Sequence, residues 1–168
     1  MMNDNDVETT YEERFKILSE LARQLTADGS TAVIGSFGTY LTFPQILDHR
    51  PMDLDLFTGN DEDSVRRAVK ILMQNGFEVF SWQDRIDNHF SFELLKGRFY
   101  VRGVRGDLNV DVTYEIKGIN YDALRKHCVV ADGIVTYDRE GQIILLRDCD
   151  QTEWRTDLTE RLKLLEQL

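Results

Sequence analysis

Met52-Asp53-Leu54-Asp55-Leu56-Phe57 alternates apolar and acidic residues with the period of a β-strand. Asp53 and Asp55 are therefore expected to leave one face while Met52, Leu54 and Leu56 turn to the core. Two residues of extended chain separate their Cα atoms by about 7 Å. Like charges held that close raise one another's pKa unless a cation sits between them, and an oxygen-only donor set favours Mg²⁺ or Mn²⁺ over zinc. An acidic pair on a solvated strand face is common, however, so the metal reading needs support from elsewhere in the chain.

Support comes from both directions. Upstream, Ala32-Val33-Ile34-Gly35-Ser36 is an apolar strand opening into a helix-like segment that runs from Phe37 to about Phe43, where Pro44 interrupts it. Gly35 and Ser36 at that junction can bring backbone N–H groups and a hydroxyl close to a phosphate, or Ser36 can simply cap the helix. Downstream, Leu108-Asn109-Val110-Asp111-Val112-Thr113 puts Asp111 on the polar face of a strand whose Leu108, Val110 and Val112 turn inward. If the two acidic strands are neighbours, a third carboxylate joins the pair.

The remaining pattern is mixed. Thr10-Tyr11-Glu12-Glu13 reads as a capping box for a helix reaching Gly29, and a second helix runs from about Asp61 to a left-handed cap at Gly76. From Phe77 the apolar period becomes two: Phe77 to Phe80, Phe90 to Leu94, Phe99 to Val104 and Leu108 to Tyr114 read as an antiparallel meander with turns at Lys96-Gly97 and Arg105-Gly106-Asp107. Asn120 to His127 reads as a short helix, and Ile134 to Tyr137 with Gln142 to Leu146 as a hairpin around residues 138–141. A last helix, capped from Asp150-Gln151-Thr152-Glu153, carries Trp154, Leu158, Leu162 and Leu165 on its apolar stripe. Helices around a mixed, mostly antiparallel sheet define an α+β (mixed α/β) class, with residues 1–10 as a flexible acidic tail and 11–168 as a single domain.

Composition narrows the function. The 168 residues carry 20 Lys plus Arg against 30 Asp plus Glu, a formal charge of −10, so an extended DNA-binding surface is not expected. Asp4, Asp6, Glu8, Glu12 and Glu13 all precede the first basic residue, Arg14, which concentrates much of that charge at the start. No apolar run approaches the roughly 20 residues that cross a bilayer, no secretory signal is visible, and Cys128 and Cys149 fit neither a zinc site nor a disulfide framework, so a cytoplasmic protein is expected. Lys96, Arg98, Arg102 and Arg105 form a local basic cluster leading into Asp111, with Arg98 and Arg102 expected on one face. That face suits an anionic group, and equally the protection of a strand edge.

In this order of elements the chain resembles the nucleotidyltransferase superfamily that includes DNA polymerase beta. Its pattern is an apolar strand, Gly-Gly or Gly-Ser, a short helix, an Asp-x-Asp strand and a later third Asp. More narrowly, Gly35-Ser36-Phe37-Gly38-Thr39-Tyr40-Leu41, His49-Arg50-Pro51-Met52-Asp53-Leu54-Asp55-Leu56-Phe57 and the helix leading to Gly76-Phe77 look like two small bacterial branches. These are the abortive-infection type nucleotidyltransferase toxins and the lincosamide and aminoglycoside nucleotidyltransferases. The resemblance covers residues 31–114 well and the remainder by element order alone. Three departures stand out: sixteen residues with Pro44 among them separate Ser36 from Asp53, Gly-Ser replaces the commoner Gly-Gly, and Arg155-Thr156-Asp157 stands where several small-molecule enzymes carry Lys-Asp.

The resemblance implies transfer of an NMP from an NTP, ATP among them, to a hydroxyl on a small molecule, a protein or an RNA end. Asp53, Asp55 and Asp111 would hold Mg²⁺ or Mn²⁺, with Asp111 also helping to deprotonate the acceptor. Gly35, Ser36, Arg50 and Arg102 would meet the nucleotide, although Arg50 is equally placed to pair with Asp53 or Asp55 when metal is absent. Asp107 is a weaker third ligand because it falls in a turn. The acidic balance favours a small acceptor, and a homodimer is compatible with the sequence. The alternative is a nucleotide-binding or interaction module on the same fold without catalysis.

Overall fold

Thr10 starts the first helix as its motif predicts: its hydroxyl accepts from the Glu13 N–H and the Glu13 carboxylate accepts from the Thr10 N–H. The structure is a computed structural model and describes residues 9–148 and 156–168. Helix α1 spans Tyr11–Thr26 and is followed by β1 Thr31–Ile34, α2 Gly35–Thr42, a 3-10 turn Pro44–Ile46 and β2 Leu54–Thr58. Helix α3, Glu62–Gln74, is capped by the Asp61 carboxylate, which accepts from the Ser64 N–H at 2.8 Å. Then come β3 Glu78–Ser81, β4 Asp84–Ile86, α4 Phe92–Leu95, β5 Tyr100–Arg105 and β6 Leu108–Thr113. The second half closes with α5 Tyr121–Leu124, a 3-10 turn Arg125–His127, β7 Cys128–Ala131, β8 Ile134–Tyr137, α6 Arg139–Arg147 and α7 Thr156–Glu166.

The strands form one sheet in the order β4-β3-β5-β6-β2-β1-β8-β7. β2 pairs parallel with β6 and β1 parallel with β8, and the other pairs are antiparallel, which makes the sheet mixed as expected. Alternation decides what each face carries. Val33, Leu54, Leu56, Val110 and Val112 are fully buried in the core that contains Leu18, Leu21 and Leu25 of α1 and Val65, Val69 and Leu72 of α3. On the opposite face Ala32, Phe57 and Tyr137 pack with Leu124 of α5 and with Ile144 and Leu145 of α6.

Several expectations are corrected. Met52 is 49% exposed because the strand begins only at Leu54, which leaves Met52 and Asp53 on the approach to it. Phe90 to Leu94 is not a strand. The Arg66 guanidinium takes the carbonyls of Asn88 and Phe90, groups a neighbouring strand would need, and α4 follows at once. Gln142 to Leu146 is helical because Asp138 caps α6, its carboxylate accepting from the Gly141 N–H at 2.8 Å. The partner of β8 is instead β7, joined through Asp132 and Gly133, both at positive φ. The cap expected at residues 150–153, together with Cys149, Trp154, Arg155 and the acids before Thr9, falls outside the described residues.

Candidate active site

The site begins where β1 becomes α2 without a connecting loop. Gly35 has φ +68°, a left-handed conformation that suits a residue without Cβ. A Cβ there would also lie 3.1 Å from Asp55 Oδ2, so the backbone of the helix start rests directly against the Asp55 carboxylate. Ile34 is the N-cap and makes no side-chain hydrogen bond to the helix, which places Ser36 inside the first turn and ends the reading of it as a cap. First-turn N–H groups that have no partner within the helix, and the positive end of the helix dipole, therefore lie beside the acidic strand.

Two further contacts hold α2 in place. At Gly38 a Cβ would stand 2.7 Å from Thr136 Oγ1 and 3.1 Å from the Val33 carbonyl, so only a glycine lets the helix lie this close to β1 and β8. Gln142, nearly buried on α6, accepts from the Thr39 hydroxyl at 2.8 Å and donates to Thr42 Oγ1 at 2.8 Å and to the Tyr137 carbonyl at 2.9 Å. Gln142, Thr39 and Thr42 attract no attention as a sequence pattern, because their partners lie about a hundred residues apart. A cavity of about 180 Å³ beside this network is lined by Gly35, Thr39, Gln142, Leu145 and Arg161.

Asp55 and Asp111 are direct partners in the parallel β2–β6 pair, which confirms that the acidic strands are neighbours. Asp111 is also the direct partner of Arg102 in the antiparallel β5–β6 pair. One row therefore crosses the sheet as Phe80, Arg102, Asp111, Asp55 and Ile34. Arg102 grips Asp111 at two points, Nε to Oδ1 at 2.7 Å and Nη2 to Oδ2 at 2.9 Å. Its guanidinium also lies over the Tyr100 ring, 5.7 Å from the centroid. The hydrogen bonds it donates to Asp111 hold the Arg102 pKa above the ordinary guanidinium range against the opposing effect of burial, with Asp53 adding a weaker attraction. Asp53 is exposed ahead of β2 and contributes its charge from there. Among the described residues, no three His, Cys, Asp or Glu side chains stand ready together to ligate a metal ion.

Arg14 sets the relation between the two acidic strands, and the sequence reading missed it. Nearly buried on α1, it donates to the Met52 carbonyl at 3.2 Å, to the Asp107 carbonyl at 3.1 Å and to Asp107 Oδ2 at 2.6 Å. Tyr11 adds a hydrogen bond to the Pro51 carbonyl at 3.1 Å. The segment leading to Asp53 and the turn before β6 are thus tied to one helix. Asp107 is used up in this clamp; hydrogen bonding from Thr9, and then the Arg14 charge, draw its pKa below the ordinary carboxylate value.

Other candidates stand elsewhere. Arg50 lies over the Tyr11 ring at 4.8 Å and 3.8 Å from Glu12, so its ion pair is with α1 and not with Asp53 or Asp55. The basic cluster is dispersed: Lys96 pairs with Glu93, Arg98 with Asp84, and Arg105 donates to the Asn75 carbonyl. Arg98 does not share the Arg102 face, because Phe99 adopts φ +70° and the strand starts only after it.

The crystal structure of a Megavirus polyadenylate synthase matches 97% of this chain with a TM-score of 0.60 and 16% sequence identity. The fold is nucleotidyltransferase-like. JHP933 from Helicobacter pylori matches 95% of the chain with a TM-score of 0.54, also at 16% identity. No family model and no curated protein matches the sequence. The chain spans 33% of the viral enzyme and 68% of the bacterial protein. In this nucleotidyltransferase-like fold, Gly35, Asp55 and Asp111 lie at the junction of β1, α2, β2 and β6 that the sequence motifs mark out.

Proposed function

We propose that the chain is a nucleotidyltransferase that moves an NMP from an NTP to a hydroxyl on a small molecule, a protein or an RNA end. The observation that carries this reading is the contact of the Gly35 backbone with Asp55, next to Asp111 in register. An exposed helix start beside paired carboxylates offers N–H groups to phosphates and oxygens to a cation in one place. The donor set of Asp53, Asp55 and Asp111 is all oxygen, and the Arg102 guanidinium already stands among these acids as a positive counter-charge, so the residues fit Mg²⁺ or Mn²⁺. When bound, such an ion neutralises charge on the phosphates and on the carboxylates that hold it.

The residues of the chain divide the remaining work. The Gly35–Ser36 backbone orients the phosphates, and the missing Cβ at Gly35 leaves the space in which the Asp55 carboxylate stands against the helix start. Asp111, once free of Arg102, accepts the proton of the acceptor hydroxyl. The acceptor oxygen forms its bond to the α-phosphorus as the α–β phosphoanhydride bond breaks, and pyrophosphate leaves with the electron pair. The Arg102–Asp111 ion pair favours a second reading, a nucleotide-binding module without catalysis, because a carboxylate gripped by a guanidinium is a poor base.

Incubation with each α-labelled NTP and Mg²⁺, with small-molecule, protein and RNA fractions as acceptors, tests the proposal. Transfer to one fraction that is lost in Asp55→Asn and Asp111→Asn is expected. Nucleotide binding without transfer to any fraction selects the second reading.

A further inference from the structure

Of Lys96, Arg98, Arg102 and Arg105, Arg102 alone bonds a carboxylate of the proposed site, and it does so at two points. Asp111 thereby stands between a fixed positive charge on β5 and a negative one on β2. A cation that needs Asp111 must compete with the guanidinium. The pair is open to such competition: the side chains are 48% and 25% exposed, and the Tyr100 ring on the same face gives Arg102 a surface to rest on when it lets go.

We infer that Arg102 is an exchangeable counter-ion, holding Asp111 in the nucleotide-free protein and released when a divalent metal arrives together with a triphosphate. The inference rests on the function proposed above. Bare metal offers Asp111 a new partner but strands the guanidinium without its carboxylate. A metal–triphosphate complex offers both partners at once, a cation for Asp111 and phosphate oxygens for Arg102. The exchange makes the site selective for metal that comes with nucleotide, and it keeps the neighbouring carboxylates balanced in the meantime. It also reconciles a nucleotidyltransferase-like fold with described residues that do not assemble a ready three-carboxylate site.

The exchange predicts opposite effects of one substitution on two probes. Free Mn²⁺ is followed by electron paramagnetic resonance in titrations of the full chain, first with the metal alone and then with the preformed Mn²⁺ complex of α,β-methylene ATP. Arg102→Gln is expected to bind bare Mn²⁺ about fivefold more tightly than the parent chain, the factor that matches an exposed ion pair of ~1 kcal/mol. The same variant is expected to bind the nucleotide complex several-fold more weakly. Arg102→Lys, which keeps the charge and loses the two-point grip, is expected to fall between them and carries the comparison if Arg102→Gln melts without cooperativity. Unchanged or weaker binding of bare Mn²⁺, or a shift of both probes in the same direction, overturns the inference while leaving the proposed function standing. Failure of every protein to bind either probe removes the proposed function, and the inference with it.

Discussion

Gly35 and Asp55 touch across the β1–β2 pair so closely that a single methyl group at residue 35 would lie 3.1 Å from the carboxylate oxygen. Strand order alone does not produce this contact. It needs a left-handed residue at the strand end, and it makes one glycine responsible for both the start of α2 and the position of an acid.

Gly35→Ala tests that dual role. The positive φ alone costs a residue with a Cβ about 1–2 kcal/mol, and the crowding adds to it. The expected result is a melting temperature lowered by roughly 2–8 °C and NTP affinity reduced more than tenfold, read by thermal denaturation and nucleotide titration. Gly29, also at positive φ but with open space around its Cβ position, is the control: Gly29→Ala should lose stability and keep affinity.

Arg14→Met removes the clamp that ties the Met52 and Asp107 carbonyls to α1. A buried ion pair broken on one side costs 3–5 kcal/mol, but Asp107 retains solvent contact, so about 2 kcal/mol is expected in urea denaturation. Hydrogen exchange should increase at residues 52–53 and 106–108 before it does in β1, because the hydrogen bonds that are lost end in those two segments.

The Asp107 carboxylate sets a pH dependence of definite sign. Its folded pKa lies below the ordinary value of 3.8, so the folded state binds fewer protons than the unfolded one near that pH. Its contribution is complete above the ordinary value and disappears as the pH falls through the lowered one. Asp107→Asn should therefore be less stable than the parent chain at pH 7, with the difference shrinking below about pH 4.

Gln142→Leu leaves the Tyr137 carbonyl without its buried side-chain donor and the Thr39 hydroxyl with the longer bond to the Gly35 carbonyl at 3.3 Å, at a cost of about 1–3 kcal/mol. Since Gln142 joins α6 to α2, the same substitution should also weaken NTP binding, although Gln142 belongs to none of the sequence motifs.

The legible parts of this protein were those with a local cause. Capping at Thr10 and Asp61 and the inward set Leu108, Val110 and Val112 follow from residues within one turn or one strand. The Arg102–Asp111 pairing turns on one detail of the hairpin. A turn read as Arg105-Gly106-Asp107 places Arg102 opposite Val110, whereas the observed turn is Gly106-Asp107 alone, and that shift of one residue brings Arg102 to Asp111. Asp132-Gly133 is a hairpin signal, but the apolar run after Asp138 imitates a strand and obscures it. Arg14, Gln142 and the partner of Arg50 depend on contacts between distant segments, for which composition and period contain no information.

If Asp55 and Asp111 form one metal-dependent nucleotide site, as proposed, nucleotide and Mg²⁺ together should stabilise the protein against heat. The melting temperature is measured with each NTP, with Mg²⁺, and with both, for the parent chain and for Asp55→Asn and Asp111→Asn. Stabilisation by at least one NTP that requires Mg²⁺ and is lost in both variants is the expected result. No metal-dependent stabilisation of the parent chain, or stabilisation of the same size in both variants, rules out a shared metal-dependent nucleotide site at these two carboxylates.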